Sequence, residues 1–137
     1  MPKALTILSF DYGTHRVGVA VGNSISKSGQ ALKTIAAPSS DALFKDIEIL
    51  IAEWQPDQLV VGKPTHPDGT PHEMTSKATR FGNQLHGRFH LPVAWVDERY
   101  TSAVLEGDPK MYDNLDAHSA VLILEQFFAE QSAKSLN

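Results

Sequence analysis

Leu5-Thr-Ile-Leu-Ser-Phe-Asp11-Tyr-Gly13-Thr-His-Arg16-Val-Gly18-Val-Ala-Val-Gly22 is a pair of apolar runs joined around a single acid. The first run, Leu5 to Phe10, is apolar or β-branched apart from Thr6 and Ser9, the composition of a strand covered on both faces. Gly13 permits a tight turn, and Arg16 to Val21 forms a second strand, so the stretch reads as a β-hairpin with Asp11 at the end of its first strand. A carboxylate at the rim of a buried strand is desolvated unless something pairs with it. Either Asp11 accepts backbone N–H groups in an Asx-type turn, or it holds a cation.

The rest of the chain extends this hairpin into a fold. Gln30 to Ala36 is a third strand, linked by the serine-rich Asn23–Gly29 turn and completing an antiparallel meander. The period then changes. Ser40 is placed as an N-cap, and Leu43, Phe44, Ile47, Leu50, Ile51 and Trp54 recur at helical spacing until Pro56. Leu59 to Gly62 is a fourth strand. Thr70-Pro71-His72-Glu73 has the form of a capping box, followed by a buried stripe of Met74, Ala78, Phe81 and Leu85. Pro92 to Val96 is the fifth strand. A short helix is expected near Thr101, and a last helix from about Asn114 carries Ala117, Ala120, Val121, Leu124 and Phe128 inward. The tail from Gln131 is polar and is expected to fray.

Right-handed crossovers place the fourth strand beside the first and the fifth beyond it. The expected fold is α/β: a five-stranded mixed sheet of order 3-2-1-4-5, flanked by helices, in one domain spanning residues 1–137. The carboxyl ends of strands one, four and five then share an edge, where open α/β sheets bind ligands. That edge carries Asp11, Lys63 and Asp97-Glu98-Arg99, and Asp116 at the start of the last helix can join them. Acids that converge need a counter-charge. Hard carboxylate oxygens suit Mg²⁺ or Mn²⁺, and two such ions ~3.5–4 Å apart can activate water and stabilise a leaving oxygen in phosphodiester cleavage. Taken singly, Asp116 could equally offset the helix dipole and Glu98 could pair with Arg99 or Arg16. Consecutive strand residues face opposite sides, so only one of Asp97 and Glu98 can aim at Asp11. Arg16, Lys63, Arg80 and Arg99 are candidates to hold phosphates, against a reading as solvated charge. Tyr12 and Tyr100 either stack on a base or cover the sheet edge.

Composition narrows the function classes. The 137 residues contain 42% hydrophobic and 20% charged residues, ordinary for one globular domain. Cysteine is absent, which excludes disulfides and thiolate zinc sites, and the six histidines show no zinc spacing. No apolar run approaches ~18 residues and the first residues lack a signal-peptide core, so a cytoplasmic protein without a membrane partner is expected. Twelve basic against 16 acidic residues, a net charge of −4, argue against a strong non-specific grip on nucleic acid but permit a local basic patch.

Asp11-Tyr-Gly-Thr-His-Arg-Val-Gly-Val-Ala, Val-Val-Gly62-Lys-Pro64, Asp97-Glu98-Arg99-Tyr-Thr101-Ser102 and Asp116-Ala-His-Ser-Ala120 together resemble the successive motifs of the YqgF family, also called RuvX. The resemblance covers nearly the whole chain, and the Asp-Glu-Arg-x-Thr-Ser run is its most specific piece. It implies an RNase H-like fold and a metal-dependent nuclease that matures the 5′ end of pre-16S ribosomal RNA or acts on branched DNA. It implies Asp11, Glu98 and Asp116 as catalytic acids and metal ligands, with Arg16, Lys63, Arg99, Thr101 and Ser102 on the substrate side. The stretch Ala103 to Leu115 departs from the family pattern, being short and carrying Glu106, Asp108 and Asp113 against Lys110. That departure favours, as an alternative, a non-catalytic RNA-binding module of ribosome assembly. A nucleotide-binding ATPase fragment also fits Asp-x-Gly-Thr, but such proteins close two lobes around ATP.

Overall fold

The structure, a computed structural model, describes residues 4–13, 15–36, 39–63, 74–97 and 115–135. The elements are β1 (Thr6–Tyr12), β2 (Arg16–Asn23), β3 (Gly29–Ala36), α1 (Ser40–Trp54), β4 (Gln58–Lys63), α2 (Thr75–Phe89), β5 (Val93–Asp97) and α3 (Leu115–Ser135). They form a single sheet of order β3-β2-β1-β4-β5, as expected. β1 and β3 each pair antiparallel with β2, while β4 runs parallel to β1 and β5 parallel to β4.

Strand alternation sorts the core into two layers. Leu8 and Phe10 of β1, with Val17, Val19, Val21, Ile35, Leu59 and Val61, face α1 and α2, where Phe44, Ile47, Phe81 and Leu85 close over them. Phe81 is the hub of this layer. Its ring lies 5.7 Å from Phe10, 4.7 Å from Tyr12 and 5.9 Å from Phe44, between centroids. Ile7, Val60 and Val96 face the other way, against Ile123, Leu124, Phe127 and Phe128 of α3. β1 is therefore covered on both sides, which is why its sequence is apolar at successive rather than alternate positions. α3 comes down closely over β2 because Gly22 has no side chain: a Cβ there would stand 2.5 Å from Leu124 Cδ2. Among the described residues, no helix is long and apolar enough to cross a membrane.

Local differences from the expected boundaries have physical causes. β1 runs two residues past Phe10 because its ladder with β2 continues through Asp11↔Gly18 to Tyr12↔Val17. The N-cap of α1 is Ser39 rather than Ser40: Ser39 is extended (φ −151°, ψ 160°), and its side chain accepts from the Ala42 N–H at 3.2 Å. The helix ends on Gln55 in the left-handed conformation (φ 47°), one residue before Pro56, with the Gln55 N–H returned to the Ile51 carbonyl. α2 begins at Thr75 after Met74, which makes no side-chain cap. The capping box expected at Thr70–Glu73 and the helix expected near Thr101 lie outside the described residues. α3 continues past Gln131 to Ser135.

Two glycines of α2 make opposite predictions. A Cβ on Gly82 would stand 2.7 Å from Cζ2 of the Trp95 ring, whereas one on Gly87 meets nothing within 4 Å. Replacing a helical glycine by alanine gains about 0.5–1 kcal/mol of helix preference, and forcing an overpacked contact costs about 1–3 kcal/mol. Gly87→Ala is expected to raise the urea midpoint and Gly82→Ala to lower it.

Candidate functional site

Asp11 is the second-to-last residue of β1 and is half-buried. Ile7, Ser9 and Asp11 alternate with Leu8, Phe10 and Tyr12, so Asp11 lies on the face covered by α3. Its partner on β2 is Gly18. On β4 the register runs Phe10↔Val61, so the next position along, beside Asp11, is Gly62. The acid is thus flanked on both neighbouring strands by residues without a side chain. Thr34 of β3 pairs with Gly18 and extends the same row. Its Oγ1 is buried and has no hydrogen-bond partner among the described residues.

The register of α3 over this face is set by one buried bond. Ser9 is fully buried, the only polar side chain so placed among the described residues, and its Oγ donates to the Ala120 carbonyl at 2.6 Å. Ile7, two residues earlier, shares a small cavity with Phe127 and Phe128. Moving along β1 toward its carboxyl end therefore means moving along α3 toward its N-terminus. The N-terminal end of α3, which begins at Leu115, thus lies toward the end of β1 that carries Asp11.

The remaining candidates separate by face. Arg16 follows Gly18 on the same side of β2, diagonal to Asp11 and exposed. Lys63 and Asp97 pair with each other at the ends of β4 and β5. They share the parity of Val61 and Trp95, which pack toward α1 and α2, and so lie on the opposite face from Asp11. The Lys63 ammonium sits 5.7 Å from the Trp95 ring centroid. Of the pair Asp97 and Glu98, strand alternation thus excludes Asp97 from Asp11's face. Glu98, Arg99, Tyr100, Thr101, Ser102 and the acidic 103–114 stretch lie outside the described residues. Tyr12 stacks on Phe81 with an interplanar angle of 24°.

Among the described residues no group of three or more histidines or acids is close enough to hold a metal ion. Those residues include Asp11 but neither Glu98 nor the side chain of Asp116. What is described fits a hard divalent cation in the chemistry of its donor, a half-buried carboxylate between two glycines. Sequence reasoning missed Ser9 and Thr34. The signal for Ser9 was present, a lone hydroxyl inside an apolar strand. For Thr34 there was none, because its row is defined only by register.

A meander followed by two parallel crossover strands, two helices on one face, one on the other and an acid at the rim of the central strand define an RNase H-like α/β domain. The chain superposes on RuvC of T. thermophilus in complex with a Holliday junction substrate with a TM-score of 0.58 and 11% identity, covering 94% of this chain and 96% of that one. A second Thermus thermophilus RuvC structure gives 0.57, at 9% identity and 94% and 97% coverage. At this identity the likeness is one of fold. The family model for RuvX, described as Holliday junction resolvase, matches residues 5–130, and this chain belongs to the RuvX family. A relative from Polynucleobacter necessarius subsp. necessarius, named "Putative pre-16S rRNA nuclease", is 79% identical over 126 residues, 92% of this chain and 86% of that protein. One of the same name from Burkholderia vietnamiensis is 52% identical over 135 residues, covering 93% and 91%.

Ser9→Ala removes a buried bond and leaves the Ala120 carbonyl within its helix. The expected cost is about 1 kcal/mol in urea denaturation. Amide exchange should accelerate at the start of α3 more than in β1.

Proposed function

We propose that this chain is a divalent-metal-dependent endonuclease that hydrolyses phosphodiester bonds in RNA, with maturation of the 5′ end of pre-16S rRNA in the cytoplasm as its task. The observation that supports this reading is the Ser9–Ala120 bond, which ties α3 to β1 with the N-terminal end of the helix turned toward Asp11's end of the strand. Relatives at 79% and 52% identity named for pre-16S rRNA favour RNA over branched DNA as substrate. The description of the family model keeps the four-way junction as the competitor to test.

Asp11, Glu98 and Asp116 are the residues that would hold Mg²⁺ or Mn²⁺, as one ion or a pair. When bound, such ions supply a nucleophilic water near neutral pH and stabilise charge on the leaving oxygen. The chain's own groups do the positioning. Arg16, on Asp11's face, is placed to orient the phosphate about to be cleaved. Arg99, Thr101 and Ser102 join it as substrate contacts through the family motif, and Lys63 serves from the opposite face of the same edge. Gly18 and Gly62 let the phosphodiester approach the carboxylate without a clash.

The test is cleavage of a pre-16S 5′ leader in Mn²⁺, with a four-way DNA junction alongside. The wild type should cut the RNA, and Asp11→Asn and Asp116→Asn should each lower the rate by about 100-fold or more, the scale of losing one preorganised electrostatic contribution. Equal rates in all three proteins would overturn the assignment.

A binding readout separates the metal from the chemistry. Carboxylates that repel one another in the folded state are relieved by a cation, so Mg²⁺ or Mn²⁺ should raise the melting temperature. An ion at 100 times its Kd stabilises by about 2.7 kcal/mol. Asp11→Asn should abolish most of that rise.

A further inference from the structure

Across the sheet edge from Asp11 is a second concave feature, on the α1/α2 face. A cavity of about 270 Å³ is lined by Tyr12, Ser40, Lys77, Arg80 and Gln84. Among its described lining residues two are cations and none is an acid, in a chain whose net charge is −4. The contrast is with the groove lined by Asp41, Lys45, Glu48 and Arg88, where two acids balance two cations. Lys77 and Arg80 are three residues apart on α2 and so are neighbours on its surface. Both are exposed, and neither makes an ion pair among the described residues. Ser40 contributes the first residue of a 15-residue helix, whose N-terminal end carries partial positive charge. The Tyr12 ring is held in place by its stack on Phe81, 4.7 Å between centroids.

We propose that this pocket seats two successive backbone phosphates of the single-stranded polynucleotide whose scissile phosphate lies at Asp11. This rests on the nuclease reading above and adds the route of the strand. Asp11 and Tyr12 are consecutive residues pointing to opposite faces at the end of one strand. A chain laid over that rim meets the acid on one side and Lys77 and Arg80 on the other. Paired cations with an adjacent aromatic are the recurring elements of single-strand grooves: the cations hold phosphates, and a ring receives a base or sugar without sequence preference. Lys63, on the same face as Tyr12, continues the basic strip toward β5. Two phosphate contacts here give the strand a direction over the rim, which a metal centre alone does not.

The experiment measures equilibrium binding of a single-stranded RNA oligonucleotide to the full chain carrying Asp11→Asn, so that cleavage does not intervene. It is repeated with Lys77→Gln and Arg80→Gln added, over a salt series. Each lost phosphate contact lowers the slope of log affinity against log salt by about 0.7 for a single strand. The added pair should therefore reduce the slope by about 1.4 and weaken binding on the order of tenfold or more. Lys45→Gln with Arg88→Gln, added instead, is the control for net charge, since both cations line the balanced groove. An unchanged slope in the Lys77/Arg80 protein, or an equal loss from the Lys45/Arg88 protein, overturns the pocket even if Asp11→Asn has abolished cleavage. A selective drop supports the pocket whether or not the wild type cuts that RNA, so the two readings fail separately.

Discussion

A strand buried on both faces can place a charge only where its cover ends. β1 is such a strand, with Leu8 and Phe10 under α1 and α2 and Ile7 under α3. Asp11 is its last residue on the α3 side. The layers that make the strand apolar also leave that carboxylate half-buried at the edge of the sheet. The hydroxyl of Ser9 adds the second constraint. By bonding to the Ala120 carbonyl it ties α3 to β1, with the N-terminal end of the helix toward Asp11's end of the strand. A buried hydroxyl satisfied by one specific carbonyl contributes modestly to stability, but it penalises every other register, in which it would be left unpaired.

The two faces of the rim differ in chemistry, and this resolves the acidic balance of the chain. Phosphate binding depends on local charge rather than on the total. The α3 face presents Asp11 between two glycines, with Arg16 on its diagonal. The α1/α2 face presents Lys63, Lys77 and Arg80 around Tyr12 and Trp95. The pleat puts these two sets of groups on opposite faces at the cost of no additional structure, since consecutive residues of one strand point opposite ways.

Aromatic packing ties the second face to the fold. Phe81 supports Tyr12 from beneath while packing on Phe10 and Phe44, so the orientation of the rim tyrosine is inherited from the centre of the core. Gly82, the next residue, admits the Trp95 ring, and Trp95 in turn lies beneath the Lys63 ammonium. One turn of α2 thereby shapes both ends of the basic strip.

Much of this was legible in the amino-acid order. Periodicity alone determined the eight described elements and, through the handedness of crossovers, the strand order, because alternation and helical spacing are local properties that tertiary packing here only reinforces. The position of Asp11 was also readable, since an acid closing an apolar strand is conspicuous in one dimension. The face each rim residue takes was not. Lys63 stands near Asp11 in the expected edge and on the other side of the sheet in the structure, because its side follows from the exact register of β4 against β1. Thr34 enters Asp11's row, and Ser9 finds Ala120, across 111 positions of sequence in the latter case. Such pairings depend on which backbone atoms three-dimensional packing brings within bonding distance, and no local pattern encodes that.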